Sequence, residues 1–146
     1  MEIYDLLSAE SVISCVRMTS KKQVLQEVSK HAANICGKNE RAIFDTLLER
    51  ERLGTTGIGR GVAIPHGKLR DLDQLYGVFA KLEQPIDFES VDDEAVDLVF
   101  LLLAPEIAGA DHLKALAQIS RMFRDPVICK KLRAAKDERA LCKLLL

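Results

Sequence analysis

The stretch AVDLVFLLLA at residues 95–104 contains the longest apolar run of the chain, residues 98–104. Successive side chains of a strand point to opposite faces of a sheet, so a strand that is apolar throughout has to be covered on both faces. The run is far shorter than the roughly 20 residues that a membrane-spanning helix needs. It therefore predicts a central strand of a sheet with a packed layer on each side.

Two helices are predicted before the strands. Ser20 and Gln23 form a capping box at the start of KKQVLQEVSKHAANIC, whose apolar residues recur at helical spacing until Gly37 ends the segment. Asn39 caps the next segment, ERAIFDTLLERER, which Gly54 ends. Because the loop between them is short, we expect the two helices to be antiparallel neighbours.

The middle of the chain changes to the periodicity of strands. GVAI, YGVFAKL and AVDLVFLLLA are short, β-branched or aromatic runs separated by turn residues. Three further helical segments follow, HLKALAQISRMF, PVICKKLRAA and DERALCKLLL. This order predicts an α/β layer structure, and 146 residues fit one domain of ordinary size.

The charges of the chain limit its partners. Its 21 lysines and arginines are matched by 22 acids and are scattered along the sequence. No basic field therefore indicates binding of nucleic acid, and no polybasic face indicates a membrane surface. The first residues include Glu2, Asp5 and Glu10 instead of the basic head of a signal peptide, so we expect a cytoplasmic protein. The four cysteines form no CxxC pair, and we interpret them as reduced, mostly buried thiols.

The segment GTTGIGRGVAIPHGK has many glycines, but not in the arrangement of a nucleotide-binding loop. A dinucleotide fingerprint places its glycines after a strand and at the start of a helix, whereas Gly57, Gly59 and Gly61 lead into an extended run. A phosphate loop needs Ser or Thr after its lysine, and here Leu69 follows Lys68. We interpret the segment as a tight connection whose backbone can closely approach another group.

His66 follows directly on Pro65 at the end of GVAI. Proline fixes its own φ and pushes Ile64 into an extended conformation, while Gly67 leaves the other side of the histidine permissive. We therefore predict that His66 lies on a turn at a strand end and is presented rather than packed. Loops of this kind on a rigid sheet often carry binding and catalytic groups.

His112 is the second candidate. It follows the strand AVDLVFLLLA across a loop and lies at the start of a helix, where free amides and the positive dipole end favour an anion. If their strands are parallel neighbours, His66 and His112 can meet at one end of the sheet. His31 differs, because it is interior to a helix near its apolar face, and we interpret it as a half-buried structural residue.

Two histidines fit several kinds of chemistry. A zinc site would need a third ligand at short spacing, and only Asp111 stands beside one of the pair. A nucleophilic triad would need a Ser or Cys on a sharp turn, and the sequence has no GxSxG or similar elbow. A phosphoryl carrier needs least, namely one accessible neutral imidazole with cationic or hydrogen-donating groups for the oxygens.

Two segments, LLERERLGTTGIGRGVAIPHGK and DLVFLLLAPEIAGADHLKALAQISRMFRD, resemble the enzyme IIA domains of the bacterial phosphotransferase system, fructose/mannitol class. Within that class they are most similar to the nitrogen-regulatory enzyme IIA, and the resemblance includes the opening DLLSAESVI. It implies one enzyme IIA domain over residues 1–146, an α/β fold with a mixed, about five-stranded sheet flanked by helices on both faces. The strands still missing would come from residues 12–17 or 86–88.

The resemblance also implies a site. His66 matches the histidine that accepts a phosphoryl group from an HPr-like phosphocarrier protein. His112 matches the second active-site histidine, which contacts that group, and Arg50 matches the arginine that neutralises it. No cofactor and no metal ion are needed, because a phosphohistidine donor is already activated. Arg60 stands where the family more often has a small polar residue, and its role stays open between phosphate, donor and solvent.

Three functions follow as hypotheses. The first is a nitrogen-type regulatory protein whose phosphorylation state changes which target proteins it binds. The second is a sugar-transport enzyme IIA that passes phosphate from His66 to a separate IIB protein. The third is a binding module that never carries phosphate. Because no IIB or permease segment occurs in this sequence, we expect the first.

Overall fold

The structure, a computed structural model, describes residues 2–15 and 17–146, with Cys15 described by its backbone alone. Within these ranges the chain forms six β-strands and five α-helices. The strands are β1 (Val12–Cys15), β2 (Gly57–Gly59), β3 (Val62–Ala63), β4 (His66–Leu69), β5 (Tyr76–Ile86) and β6 (Val96–Pro105). The helices are α1 (Lys21–Cys36), α2 (Glu40–Leu53), α3 (Ala110–Phe123), α4 (Pro126–Ala134) and α5 (Glu138–Leu145).

The first two helices begin and end where their capping residues predicted. The Ser20 hydroxyl accepts a hydrogen bond from the backbone N–H of Gln23, and Asn39 accepts one from Ala42. Gly37 ends α1 with φ 71°, a left-handed conformation that glycine adopts without strain. The two helices pack against each other across the short connection, as predicted from the sequence.

The sheet is mixed, with the strand order β1-β5-β6-β3-β2 and with β4 also paired to β6. Both β3 and β4 run parallel to β6, whereas β5 is antiparallel to it on its other side. β1 is parallel to β5, and β2 forms an antiparallel hairpin with β3. Since β3 and β4 lie end to end along one edge of β6, the sheet is five strands wide, as the resemblance implied.

β6 is the central strand that the apolar run predicted. Its residues Leu98, Phe100 and Leu102 belong to one buried cluster, together with side chains of α3, α4 and α5. The alternate residues Val99, Leu101 and Leu103 belong to a second cluster, together with side chains of α1 and α2. Because successive side chains of β6 point to opposite faces of the sheet, this one strand contributes to both buried clusters, and helices cover both faces.

Two details differ from the sequence-based predictions. His66 does not lie on a turn but begins β4, because the carbonyl of Pro65 accepts a hydrogen bond from the Leu102 amide at 3.0 Å and the ladder with β6 resumes immediately. Residues 86–88 are not a separate strand, since Ile86 is the last residue of β5. The prediction at residues 12–17 is confirmed as β1 over its first four residues, while residue 16 lies outside the described residues.

The glycine-rich segment forms the β2–β3 hairpin, with Arg60 and Gly61 in the left-handed region at its tip. In the part of the chain that the structure describes, no helix is long and apolar enough to cross a bilayer.

Candidate active site

His66 lies at the start of β4, where it is paired in register with Leu102 of β6. Its ring Nδ1 is 2.8 Å from the carbonyl oxygen of Ile64. A carbonyl oxygen can only accept a hydrogen bond, so Nδ1 must carry the proton of the neutral ring. Nε2 is therefore the nitrogen that keeps its lone pair, and a backbone contact fixes which nitrogen this is.

Arg50 reaches that nitrogen from the last turn of α2. Its Nε donates to Nε2 of His66 at 3.3 Å, and its Nη1 donates to the carbonyl of Gly54 at 2.8 Å. The second contact ties the guanidinium to the end of its own helix. Arg50 is thus held in place by protein groups while part of its donor fork stays available to another acceptor.

Gly67 explains how α2 comes so close to β4. A Cβ at this position would lie 2.6 Å from Cγ2 of Thr46, one turn before Arg50 on α2. Real Cβ atoms do not approach other heavy atoms so closely, so a larger residue would require the Thr46 side chain or α2 itself to shift. The close contact at Gly67 therefore sets the distance between Arg50 and His66.

His112 is the third residue of α3 and lies beside His66, with ring centroids 5.7 Å apart and planes tilted by 50°. The prediction that the two histidines meet at one end of parallel strands is thus correct. His112 is only 8% exposed, and its Nε2 has no hydrogen-bond partner among the described residues. A buried polar nitrogen without a partner is unfavourable, which makes it a natural contact point for an incoming polar group.

Burial is the main cause that lowers the pKa of His66 below its ordinary value. The hydrogen bond to the Ile64 carbonyl opposes this shift, Arg50 adds to it, and Glu51 opposes it weakly. Burial also lowers the pKa of His112, with smaller contributions in the same direction from His66 and Lys68. Both imidazoles are therefore neutral near pH 7, and His66 keeps its lone pair at Nε2.

Glu51 is a buried neighbour of Arg50 that the sequence-based reasoning missed. Its carboxylate is buried and accepts hydrogen bonds from the amide of Thr56 at 2.8 Å and from its hydroxyl at 2.6 Å. Lys21 of α1 lies 3.2 Å from the same carboxylate. These contacts fix the end of α2 next to Arg50. A signal was present in the sequence, because Glu51 falls four residues after Leu47 on the apolar stripe of the helix.

The other histidine, Arg60 and the described cysteines are not part of the group around His66. His31 is half-buried and contacts Glu27, one turn earlier on α1, at 3.2 Å, in line with a structural role. Arg60 donates from Nη1 to the carbonyl of Arg124 at 3.2 Å, at the end of α3. Cys129 is buried, whereas two further free cysteines, at 36 and 142, are half-buried. Among residues 2–15 and 17–146, no group of three or more His, Cys, Asp or Glu is arranged to hold a metal ion.

The chain matches the family model described as "Phosphoenolpyruvate-dependent sugar phosphotransferase system, EIIA 2" over residues 5–146. A nitrogen regulatory protein of Bradyrhizobium diazoefficiens is 58% identical over 145 residues, which cover 99% of this chain and 95% of that protein. A nitrogen regulatory protein of Escherichia coli K12 is 38% identical over 146 residues, which cover 99% of this chain and 90% of that protein.

Solved structures agree. The crystal structure of nitrogen regulatory protein IIA-Ntr from Neisseria meningitidis matches with a TM-score of 0.92 at 30% identity, covering 99% of both chains. IIA mannitol from Escherichia coli has the same fold, with a TM-score of 0.80 at 20% identity over 96% of this chain and 99% of that chain. The fold and the nitrogen-type resemblance predicted from the sequence are therefore confirmed. The chain belongs to the EIIA 2 family of the phosphoenolpyruvate-dependent sugar phosphotransferase system, phosphotransferases that act by histidine phosphoryl transfer, and within it to the nitrogen-regulatory type.

Proposed function

We propose that Nε2 of His66 accepts a phosphoryl group from the phosphohistidine of an HPr-like carrier protein, with Arg50 and His112 holding that group. One observation carries the proposal. The nitrogen that keeps its lone pair lies 3.3 Å from a guanidinium donor and beside a buried imidazole whose Nε2 has no partner within the described residues. These are the groups that phosphoryl transfer to a histidine requires.

Phosphoryl transfer from the donor histidine to His66 needs no cofactor. The lone pair of His66 Nε2 attacks the phosphorus of a donor phosphohistidine whose other ring nitrogen carries a proton. The bond from phosphorus to the donor imidazole breaks, and its electron pair stays on the donor nitrogen, so the donor leaves as a neutral imidazole. The proton on Nδ1 of His66 keeps its contact with the Ile64 carbonyl throughout. Because a low pKa keeps His66 neutral near pH 7, no proton has to leave before the attack.

Arg50 would act on the phosphoryl oxygens. A guanidinium presents several N–H donors in a planar fork that matches phosphate geometry. Its anchor on the Gly54 carbonyl limits the reorganisation needed when the phosphoryl group arrives. Charge stabilisation by preorganised donors is the main resource available to a reaction of this kind.

His112 would supply the second contact. A phosphoryl oxygen on Nε2 of His66 gives the unpartnered Nε2 of His112 an acceptor, provided that this nitrogen carries the proton of its neutral ring. The position at the N-terminus of α3 adds the favourable end of a helix dipole for an anion. Two donors from different helices would thus hold the same group.

Exposed apolar side chains beside the site fit a protein donor. Leu53 follows Arg50 on α2, Ile107 lies in the loop before α3, and Leu113 follows His112; they are 86%, 95% and 68% exposed. Apolar side chains exposed next to a reactive group are typical of a surface that a partner protein covers. We therefore propose that the phosphocarrier docks over these residues. A cytoplasmic location of the chain and its partners is part of the proposal.

A phosphoryl group on His66 adds about two negative charges to this surface. Such a change alters the affinity of any partner that contacts the surface, through repulsion and desolvation. The nitrogen-regulatory relatives support a regulatory use of this change. We propose that the phosphorylation state of His66 selects which regulatory target proteins the chain binds.

The acceptor is tested with carrier protein labelled by ³²P on its histidine. We expect the wild-type chain to take up label that is labile in acid and stable in alkali, and the His66→Ala variant to take up none. His31→Ala is the matched control and should be labelled normally, because the side chain of His31 is hydrogen-bonded to Glu27 on its own helix. Label that survives in His66→Ala would refute the assignment.

The same labelled protein separates the alternative functions. A chain that is never labelled is a pure binding module. A labelled chain that loses its phosphate rapidly to an added IIB protein is a sugar-transport enzyme IIA. A labelled chain that keeps its phosphate in the presence of IIB, and whose retention of target proteins differs between His66→Ala and the phosphorylated form, has the regulatory function proposed here.

A further inference from the structure

A second concentration of positive charge lies away from His66, around a cavity of about 240 Å³. Its lining includes the cationic side chains of Arg60, Arg124, Lys130 and Arg133, and none of its lining residues is acidic. The volume corresponds to that of about eight water molecules, which is enough for a small anion. Arg133 is paired with Asp97, and the other three like charges repel each other unless an anion occupies the space between them.

The backbone and side chains hold part of this cationic cavity in a fixed arrangement. Arg133 donates from Nε to both carboxylate oxygens of Asp97, at 3.0 and 2.9 Å, and from Nη2 to the carbonyl of Arg60 at 2.8 Å. Arg60 in turn donates to the carbonyl of Arg124 at 3.2 Å. Two guanidinium groups are therefore immobilised before a ligand binds, which reduces the entropy that binding has to offset.

The conformation of the hairpin tip also indicates that this part of the cationic cavity is held in place. Arg60 has φ 58°, a conformation that is unfavourable for a residue with a side chain. Its amide donates to the carboxylate of Asp92 at 2.9 Å, and its carbonyl accepts from Arg133, so the turn is held from both sides. A glycine would adopt this conformation without strain, yet the chain places a cation there.

The charge balance indicates the class of ligand. Asp97 neutralises Arg133, and the carboxylate of Asp125 is directed to the amide of Val127, where it caps α4. The side chains of Arg60, Arg124 and Lys130 form no ion pair within the described residues. Three unpaired cations around a small volume favour an anion of about three negative charges, and guanidinium groups favour phosphate oxygens.

The cationic cavity lies well away from the phosphoryl site. Arg60, which lines the cavity, precedes β3. That strand is paired with β6 from Leu98, whereas His66 is paired with Leu102. Four residues of a strand correspond to about 13 Å. None of the residues that line the cavity belongs to the set of Arg50, His66 and His112. We propose that this cavity binds a small anion with a diphosphate group, independently of phosphoryl transfer at His66.

Inorganic pyrophosphate is the probe, titrated into the whole chain without divalent cations and at constant ionic strength, with amide chemical shifts and calorimetry as readouts. We expect saturable binding that shifts the amides of residues 60–61 and 123–133, and weaker binding of inorganic phosphate. Comparison with ADP then shows whether a nucleotide or a free diphosphate is the preferred source of the group.

Lys130→Ala and Arg124→Ala should each weaken pyrophosphate binding about tenfold, the effect of losing one charged hydrogen bond. Lys131→Ala is the matched control on the same helix, because its side chain is exposed and does not line the cavity. Shifts confined to residues around His66, equal weakening by Lys131→Ala, or the absence of saturation would overturn the proposal. Each variant should still accept phosphate at His66, so failure here leaves the proposed function untouched.

Discussion

The guanidinium of Arg50 donates from Nε to Nε2 of His66 across 3.3 Å, so a permanent cation contacts the imidazole nitrogen that carries the lone pair. The contact joins residues that stand 16 positions apart in the sequence and come from a helix and a strand. It lowers the pKa of His66 in the same direction as burial does.

Arg50→Ala should slow phosphoryl transfer from the carrier by about two to three orders of magnitude, the usual effect of losing one charge-stabilising donor. Arg50→Lys should recover part of the rate, because it restores the charge but not the fork. Rapid-quench measurement of ³²P transfer gives both rates. Arg52→Ala, an exposed arginine of the same helical turn, is the control and should react normally. An Arg50→Ala variant with the wild-type rate would remove Arg50 from the mechanism.

His112→Ala should also slow transfer by about two to three orders of magnitude, because the phosphoryl oxygens lose their second donor. His112→Gln should be less impaired, since its amide can still donate a hydrogen bond. The same quench assay applies, with circular dichroism to verify the fold. Equal rates for His112→Ala and the wild type would show that the unpartnered nitrogen does not contact the phosphoryl group.

Gly67→Ala tests whether the close approach of α2 to β4 sets the site. The added methyl would meet Thr46, so its side chain or α2 has to shift, and we expect a loss of about 1–3 kcal/mol in the free energy of unfolding. Urea denaturation measures this loss, and the double variant Gly67→Ala/Thr46→Ser should recover part of it by removing the opposing methyl group. Transfer to Gly67→Ala should slow because Arg50 moves with its helix. Normal stability together with normal transfer would contradict the steric explanation.

Glu51→Gln should lower the pKa of His66 further, because the negative charge of Glu51 raises it in the wild type. Titration of the His66 ring resonances by NMR measures the shift directly. Glu49→Gln, an exposed glutamate on the same helix, should leave the titration unchanged. A pKa of His66 that rises or stays constant in Glu51→Gln would show that Glu51 exerts no such field at the site.

The pH dependence follows from the lowered pKa values of His66 and His112. The transfer rate should be constant above about pH 6.5, the ordinary pKa of histidine, and should fall only at lower pH, where His66 becomes protonated. In the unfolded chain both histidines bind protons at higher pH than in the folded chain. The free energy of unfolding should therefore decrease as pH falls from about 6.5 toward the folded-state pKa values. A double His66→Ala/His112→Ala variant should lose this part of the pH dependence, which urea denaturation at several pH values can measure.

Local patterns predicted most of the fold. Ser20 and Gly37 marked the ends of α1, and the apolar run marked β6, because capping and periodicity depend on residues a few positions apart. The meeting of His66 and His112 was predicted conditionally, since it required their strands to be parallel neighbours. The continuation of the ladder through β4 was not predicted, because a proline lacks the amide donor that a strand interior needs. The carbonyl of Pro65 nevertheless accepts the hydrogen bond that keeps β4 in register.

The site residues that were missed depend on contacts distant in sequence. Glu51 acts through Thr56 and Lys21, and the need for glycine at position 67 comes from the methyl group of Thr46. A single sequence shows that such residues exist but not which side chains they meet. Arg50, in contrast, was predicted from the family resemblance and not from any local pattern.

The alternation of side chains along β6 makes the two helical layers depend on one strand. Arg50 comes from the layer on one face and His112 from the layer on the other, so the imidazole of His66 has both neighbours only when the two layers have assembled. If His66 accepts the phosphoryl group as proposed, partly folded intermediates with a single layer in place should not take up label from the carrier. Incorporation of label can thus serve as a cooperative reporter of complete folding.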